Sequence, residues 1–397
     1  MVDDELLTNT YKVINKFMIE RGWLECRCSA CGKNFYLKTS STASKSSCGW
    51  GQCAIGPYSF FDSIKRKRIM SPRQVCAAIC EHFERTGFKI ETPRNITNLD
   101  GDTDLIIAGV QIFDGAIHQN QKICERKMIM AQPCVRMQFK GLVGLQEGIS
   151  TSFVNICTEV ANINLGEHLQ ILDKWYGAFS RIGLHMNDFT IVARKSTNDW
   201  GTGKFPAINL FFVYKGLELG DASYFFAPRV DKTFMPISDI GFGLERIVWA
   251  INKTNSYFDV LMPCTAGENR EMLDSCRTLS LLALCGVRAS NNGSGLQYRR
   301  FAKVLSEKYY GQDIFYIVAY YFDYWSQFIK PTVDKDIALK SIRLEIERYI
   351  NLKISKALKI STPEMETTED YFNRLVYNHN NININDLRET IKKCQNQ

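Results

Sequence analysis

The stretch PISDIGFGLERIVWAIN, residues 236–252, leaves almost no room for a connecting loop. PISDIGFG fits the end of a strand, and LERIVWAIN fits a helix that begins at once. Two readings suit such a junction: a phosphate-handling turn, or a plain helix start. Gly241 and Gly243 permit close approach of the backbone to a ligand. Arg246 falls on the first helical turn, where free N–H groups and the helix dipole also favour an anion. Asp239, at the strand end, can hold a cationic amine or cap the helix. A Gly-x-Gly pair by itself is a weak signal.

A second arginine strengthens it. QPCVRMQF places Arg136 on a strand among apolar neighbours, with Cys134 and Gln138 on the same face. An arginine on a buried strand needs an anion. An internal carboxylate and a ligand's carboxylate or phosphate serve equally well.

The cysteines divide into two kinds. Cys76, Cys80, Cys157 and Cys285 sit singly in apolar surroundings and read as small buried hydrophobes. CRCSACGKNFYLKTSSTASKSSCGWGQC is different. Cys28 and Cys31 form a C-x2-C knuckle followed by Gly32, and Cys48 and Cys53 form a looser pair around Gly49 and Gly51. Four thiolates so spaced suit tetrahedral zinc in a structural role, with TSSTASKSS as the loop the metal closes. Cys26 is a spare that can exchange with Cys28. Free cysteines are the competing reading.

The 397 residues are enough for two or three domains. A hydrophobic content of 45% with 23% charged residues describes a soluble globular chain. No apolar run reaches the length of a membrane span, and MVDDELL lacks the order of a secretory signal, so a cytoplasmic protein without a membrane partner is expected. The net charge of +7 suits a polyanionic partner, although a slightly basic soluble protein explains it as well.

Along the chain, residues 1–60 read as a helix and the cysteine module. Pro72–Arg85 has helical spacing, and FKIETPRN reads as a strand running into Pro93. DLIIAGVQIF (104–113) and MIMAQPCVRMQF (128–139) read as strands, and residues 167–182 as a helix. Residues 188–195, 206–214 and 221–227 read as strands, the last two joined by KGLELG. This mixture without βαβ alternation predicts an α+β fold with a largely antiparallel sheet. Residues 267–330 are helix-like, and 336–360 form an amphipathic helix with Ile342, Ile346, Ile350, Ile354 and Leu358 in one stripe. The polar tail NHNNININDLRETIKKCQNQ is expected to fray.

QPCVR and DIGFGLERIVWA together resemble motifs 2 and 3 of class II aminoacyl-tRNA synthetases, and the chain is most similar to the alanyl-tRNA synthetases of archaeal type. Pro93 resembles the motif 1 proline. NDWGTGKFPAINLFFVYKGLELGDASYFF looks like the family's amino-acid pocket segment, and LLALCGVRASNNGSGLQYRR resembles the start of its helical tRNA-recognition domain. The resemblance implies a class II antiparallel sheet with flanking helices over 61–262, after the module of 1–60. It implies an all-helical tRNA-recognition domain over 263–397. The family's editing and C-terminal domains have no counterpart in these residues.

The resemblance also implies roles. Arg136 would hold the amino-acid carboxylate and the α-phosphate, and Arg246 the γ-phosphate, so these two are the catalytic candidates. Phe153 would stack on adenine, with Gly243 beside the nucleotide. Asp239 would hold the substrate amine, Gly241 would leave room for a methyl side chain, and Trp200 and Asp221 would complete the pocket. Asn291 and Arg300 would meet the tRNA acceptor stem. ATP, Mg2+, an amino acid and tRNA follow as ligands, and a homodimer is among the assemblies the family admits. Gly148, Ile149 and Val154 stand where the family has an arginine, a histidine and a glutamate. Phe211 replaces a carboxylate, Tyr377 an aspartate, and Asp221 a small polar residue. Two functions follow: an alanine–tRNA ligase-like enzyme, or a divergent relative that binds tRNA or an amino acid without aminoacylation, or ligates the amino acid to another acceptor.

Overall fold

The computed structural model describes residues 4–53, 69–119, 121, 123, 126–200, 203–228, 234–262, 269–309, 311, 313–360, 365–378 and 384–395. The chain divides into two compact units. One comprises Met1–Arg94, Asn98–Cys134 and Phe153–Cys264; the other comprises Asn95–Thr97, Val135–Ser152 and Thr265–Gln397.

The first unit holds, in chain order, α1 (Asp4–Glu20), β1 (Trp23–Arg27), β2 (Asn34–Lys38), α2 (Pro72–Glu84), β3 (Lys89–Ile90), α3 (Asp114–His118), β4 (Met128–Val135), β5 (Ser152–Ala161) and α4 (Leu165–Arg181). Then come β6 (Phe189–Trp200), β7 (Gly203–Tyr214), β8 (Leu217–Pro228), β9 (Phe234–Gly243), α5 (Leu244–Asn252) and α6 (Phe258–Leu261). The nine strands form one sheet in the order β1-β2-β6-β7-β8-β9-β5-β4-β3. Only β3 with β4 is a parallel pair among the registers described; β1–β2, β2–β6, β6–β7, β7–β8, β8–β9 and β5–β9 are antiparallel. This is the expected α+β architecture with a largely antiparallel sheet and flanking helices.

Side-chain alternation separates the two faces of the central strands. Phe189, Phe212 and Phe242 point to the face covered by α4, where Phe179 meets all three rings and Trp175 packs on Phe242 at 4.7 Å. Polar residues on this face also find partners on α4. The Trp175 indole N–H donates to Thr158 Oγ1 at 2.9 Å, and His168 Nδ1 meets Ser238 Oγ at 2.7 Å. Helix α2 starts with a complete capping box: Ser71 accepts from the Gln74 N–H, the Gln74 side chain accepts from the Ser71 N–H, and Pro72 opens the helix.

Several sequence expectations shift. FKIETPRN yields only the two-residue strand β3, although the Glu91 N–H still donates to Ile129 O. DLIIAGVQIF is not a strand; Gly109–Phe113 is a 3-10 helix leading into α3. The Gln111 side-chain oxygen accepts from the N–H groups of Ile107 and Ala108, so the backbone is satisfied locally instead of by a neighbouring strand. Phe113 and Ile117 bury their apolar bulk with Met128, Phe205, Phe225 and Ile237. The three strands after α4 are longer than read, and the LELG part of KGLELG belongs to β8.

The second unit contains α7 (Arg270–Leu284), α8 (Gly293–Lys308), α9 (Ile314–Trp325), α10 (Lys335–Leu358), α11 (Thr368–Asn378) and α12 (Ile384–Gln395). α7 is its centre: it packs on α8, α9 and α10, and every residue from Met272 to Leu284 is buried. Buried charges on α7 are held locally: Asp274 accepts from the Thr151 N–H and hydroxyl at 2.7 and 2.5 Å, and Arg277 stacks on Tyr324 and Trp325. Burial pushes the Asp274 carboxyl up, opposed by the Thr151 donors and the Arg277 and Lys140 charges. Ile342, Ile346, Ile350 and Ile354 on α10 are fully buried, as the stripe requires, while Leu358 at its end is half-buried. The polar tail is helical over α12, anchored by buried Leu387. Among the described residues, no helix is long and apolar enough to cross a membrane.

Candidate functional site

Four cysteines meet beside β1 and β2. The sulfurs of Cys28, Cys31, Cys48 and Cys53 all lie within 4.8 Å of one another. Cys28 Sγ is 3.8 Å from Cys53 Sγ, and Cys31 Sγ is 3.8 Å from Cys48 Sγ. A tetrahedron with metal–sulfur bonds of about 2.3 Å has edges of about 3.8 Å, the length of these two pairs, and the whole set is close enough to share one zinc ion. The turn forms because Gly32 adopts φ +69° and donates its N–H to Cys28 O at 2.9 Å; Gly49 takes φ +64° in the second pair. Burial opposes ionisation of Cys28, but the N–H groups of Cys48, Cys31 and Ala30 point at its sulfur and hold the thiol at about 6. Burial pushes Cys48 the other way. These residues fit a structural metal, and Cys26 lies outside the set.

The module is tied to the central sheet. β2 pairs with β6, and Trp50, between Cys48 and Cys53, stacks on Phe211 of β7 with centroids 4.5 Å apart. The Trp50 indole N–H donates to Glu218 at 2.5 Å. Phe211, where the resemblance has an acidic residue, is therefore an anchor for the module.

The face of the sheet away from α4 carries a polar patch between two apolar clusters, one around Phe205, Phe225 and Ile237 and one around Val192 and Phe211. Register places Glu159 opposite Asp239 and Cys157 opposite Gly241 across β5 and β9. Across β9 and β8, Asp239 faces Ser223 and Gly241 faces Asp221; across β8 and β7, Ser223 faces Asn209 and Asp221 faces Phe211. A hydrogen-bond chain crosses this face. Ser196 Oγ donates to Asn209 Oδ1 at 2.6 Å, Asn209 Nδ2 to Ser223 Oγ at 2.5 Å, and Ser223 Oγ to Asp221 Oδ2 at 2.6 Å. The chain fixes the amide orientation of Asn209 and presents Asp221 as an acceptor.

β9 passes straight into α5 at Gly243–Leu244, as the sequence requires. Asp239 lies in mid-strand and not at the strand end, so it does not cap the helix. Arg246 is on the first turn of α5, half-buried, with Nη1 donating to Glu218 O at 3.0 Å. Over Gly241 lies the Asn155 carboxamide; a Cβ on Gly241 would come within 2.6 Å of its Oδ1. Glu245 is fully buried, and both of its oxygens accept from the Val154 N–H, at 3.1 and 3.0 Å. It pins the start of β5, next to Phe153, to the start of α5.

Three residues escaped the sequence reading: Asn155, Glu159 and Glu245. Glu245 carried a signal, an acid just after the glycine pair. Asn155 and Glu159 are recognisable only through their register with β9.

The remaining candidates are more scattered. Arg136 is one residue beyond the end of β4, half-buried, and leads a 3-10 turn over Met137–Leu142; its N–H donates to Thr151 O at 2.8 Å. The strand stops because Met137–Leu142 turns on itself, and Gln138 is exposed there instead of sharing a strand face with Arg136. Trp200 ends β6 opposite Gly203, and its side chain lies outside the described residues. In the second unit, Asn291 and Arg300 are both exposed, Asn291 paired with Arg299 in the turn before α8 and Arg300 with Gln297. Gly295 sits so close to Ser290 and Arg288 that a Cβ would fall 2.2 Å from the Ser290 hydroxyl.

No family model matches the chain. Its sequence is similar to archaeal alanine–tRNA ligases: 20% identical over 285 residues to that of Halobacterium salinarum, covering 65% of this chain and 30% of the relative. It is 23% identical over 266 residues to that of Thermoplasma acidophilum, with 62% and 30% covered. It is 23% identical over 328 residues to that of Methanosarcina mazei, with 77% and 31% covered. The chain thus spans about a third of the length of these relatives. Among solved structures, the pyrrolysyl-tRNA synthetase PylSc of Desulfitobacterium hafniense overlaps 47% of this chain and 68% of its own at 16% identity, with a TM-score of 0.32.

Proposed function

We propose that the chain is a synthetase-like ligase: it activates an amino acid with MgATP to an aminoacyl adenylate and passes the acyl group to a tRNA acceptor end. The observation that carries this reading is the β9–α5 junction, with Asp239 and Gly241 in the polar patch and Arg246 on the first helical turn. The distant similarity to alanine–tRNA ligases supports it. In this reading Asp239 binds the substrate ammonium, and Arg246 joins the α5 N-terminal dipole in binding the phosphate tail of ATP. Arg136 holds the substrate carboxylate and the α-phosphate. The attacking carboxylate oxygen forms a bond to the α-phosphorus as pyrophosphate leaves. The protein's part is positioning and charge stabilisation. Phe153 and Gly243 receive the nucleotide, Trp200 and Asp221 border the amino acid, and Asn291 and Arg300 meet the acceptor stem. Zinc on Cys28, Cys31, Cys48 and Cys53 would hold the module that braces β7 through Trp50. The three sequence segments 1–60, 61–262 and 263–397 serve as metal module, activating domain and RNA-recognition domain, in the cytoplasm.

A second reading has its own support. Val154 and Ile149, where the resemblance has ATP-contacting polar groups, are buried apolar residues. A chain that binds tRNA or an amino acid without activating it would show this. Hydroxylamine trapping separates the two, because an adenylate gives a hydroxamate and simple binding does not. Hydroxamate formation that needs ATP and one amino acid, and that Arg246→Ala abolishes, supports activation. Amino-acid binding without any hydroxamate supports the second reading.

A further inference from the structure

A short chain of contacts runs from the cysteine module to the β9–α5 junction. Trp50 sits in the turn between Cys48 and Cys53, where Gly49 and Gly51 adopt φ +64° and +57° and the Cys53 N–H donates to Trp50 O at 3.1 Å. Its ring has two neighbours: Phe211 stacks on it, and Lys33 Nζ lies 4.3 Å from a ring centroid. The indole N–H donates to Glu218 Oε2 at 2.5 Å. The backbone oxygen of the same Glu218 accepts from Arg246 Nη1 at 3.0 Å. One residue of β8 therefore meets the module through its side chain and the phosphate-binding candidate through its carbonyl.

The local backbone lets Glu218 pass position from one to the other. β8 slips register against β7 between Phe212 and Val213: Phe212 faces Gly220 and Val213 faces Glu218, so Leu219 is an extra residue. A bulge of this kind bends the strand and interrupts its ladder. On the other side, the register of β8 with β9 runs from Gly220 to Pro228, so Glu218 lies beyond it and its carbonyl is taken by Arg246. Arg246 follows this backbone closely, because a Cβ on Gly243 would stand 3.7 Å from both Arg246 Cδ and Leu219 O. Beside a bulge and past the end of one ladder, a side-chain tether weighs more in setting where the carbonyl points. A hydrogen bond to a carboxylate is among the stronger tethers, and the Trp50 indole supplies one.

We propose that Trp50 is a positioning residue for Arg246, acting through Glu218, so that the cysteine module serves the phosphate-binding site as well as the fold. This rests on the reading above in which Arg246 binds the phosphate tail of ATP. The indole N–H fixes the Glu218 side chain, the Glu218 carbonyl orients the guanidinium, and the guanidinium meets the phosphates. Phe211 holds the indole in the plane this needs, through a stack with centroids 4.5 Å apart. Removing the N–H while keeping the ring leaves Arg246 in place on α5 but less well aimed.

The test is calorimetric binding of MgATP and of AMP to the full chain, with hydroxamate formation measured for each standard amino acid. Trp50→Phe keeps an aromatic ring against Phe211 and loses the N–H. It is expected to bind MgATP about 10-fold more weakly, the scale of one hydrogen bond, with AMP affinity, metal content and melting temperature unchanged. Glu218→Ala should repeat this result, and it reads the same ratio should Trp50→Phe fail to fold. Glu218→Gln, which keeps an acceptor oxygen for the indole, should stay within about two-fold of the parent chain. Added to Arg246→Ala, Trp50→Phe should cost nothing further, because coupled residues are not additive. Unchanged MgATP affinity in both Trp50→Phe and Glu218→Ala overturns the proposal. So does an equal loss for AMP, or a full further loss on top of Arg246→Ala, since either shows an effect that bypasses the phosphate arginine. A Trp50-dependent affinity for MgATP without hydroxamate from any amino acid upholds the positioning and overturns activation. No binding of MgATP by the parent chain overturns both.

Discussion

The first unit gathers like ionisable groups twice, with different results. At the cysteine module, four thiols lie within 4.8 Å of one another, two pairs of them at the edge length of a zinc tetrahedron, and amide N–H groups point at Cys28. On the face of the sheet away from α4, three carboxylates share neighbouring strands, and burial holds the Glu159 carboxyl well above its usual range. The module is shaped by a short turn whose glycines and cysteines are close in sequence. The acidic cluster is shaped by the register of three strands that are far apart in sequence. The four thiols call for a cation. The first is preformed by local backbone and suits a permanent metal. In the second, burial and the facing Asp239 favour the protonated form of Glu159.

The widest split between the two regions should come from metal removal. Chelation, or Cys28→Ser with Cys48→Ser, is expected to release one zinc per chain and lower the melting temperature by roughly 10 °C or more, since binding free energy at such a site is folding free energy. Melting that is indifferent to metal would show that the thiols are merely buried cysteines. On the acidic side, Arg246→Ala is expected to slow adenylate formation by about 10²–10³-fold with little change in melting, because a charge-stabilising group acts mainly in the transition state. A matching collapse of stability would make Arg246 a structural residue, held by its bond to Glu218 O.

A buried titratable group that does have a partner makes a third case. Burial depresses His168 to about 3, and its ring meets the Ser238 hydroxyl. Unfolded histidine titrates near 6.5, so between those values the unfolded chain binds the extra proton and stability falls as pH falls. The loss at pH 5 should be about 2 kcal/mol, read from denaturant midpoints at pH 7 and 5, and His168→Gln should flatten it. The smallest effect is local. Ser71→Ala removes one half of the capping box of α2 and should cost about 1 kcal/mol without altering metal content or adenylate formation.

The features legible in the sequence are those made by neighbours in the chain. The cysteine knuckle, the Ser71–Pro72 helix start, the stripe of α10 and the passage of β9 into α5 all depend on residues within a few positions of each other. DLIIAGVQIF misled because a short apolar run has no distinguishing period, and the deciding contact is the Gln111 side chain folding back on Ile107 and Ala108. Arg136 was expected on a buried strand because apolar neighbours continue past it, yet the backbone turns at that residue. Glu159 was invisible inside SFVNICTEVA, where an acid in an apolar strand has no meaning until its opposite number is known. The pairing with Asp239 is non-local.

The central claim is that the β9–α5 junction belongs to an amino-acid-activating site, and pyrophosphate exchange tests it most directly. The full chain is supplied with ATP, Mg2+, labelled pyrophosphate and, in turn, each standard amino acid. Label is expected to enter ATP with a small subset of these amino acids, and to fail to do so in Arg246→Ala. No exchange with any of them, in a protein shown by calorimetry to bind ATP, would contradict the claim.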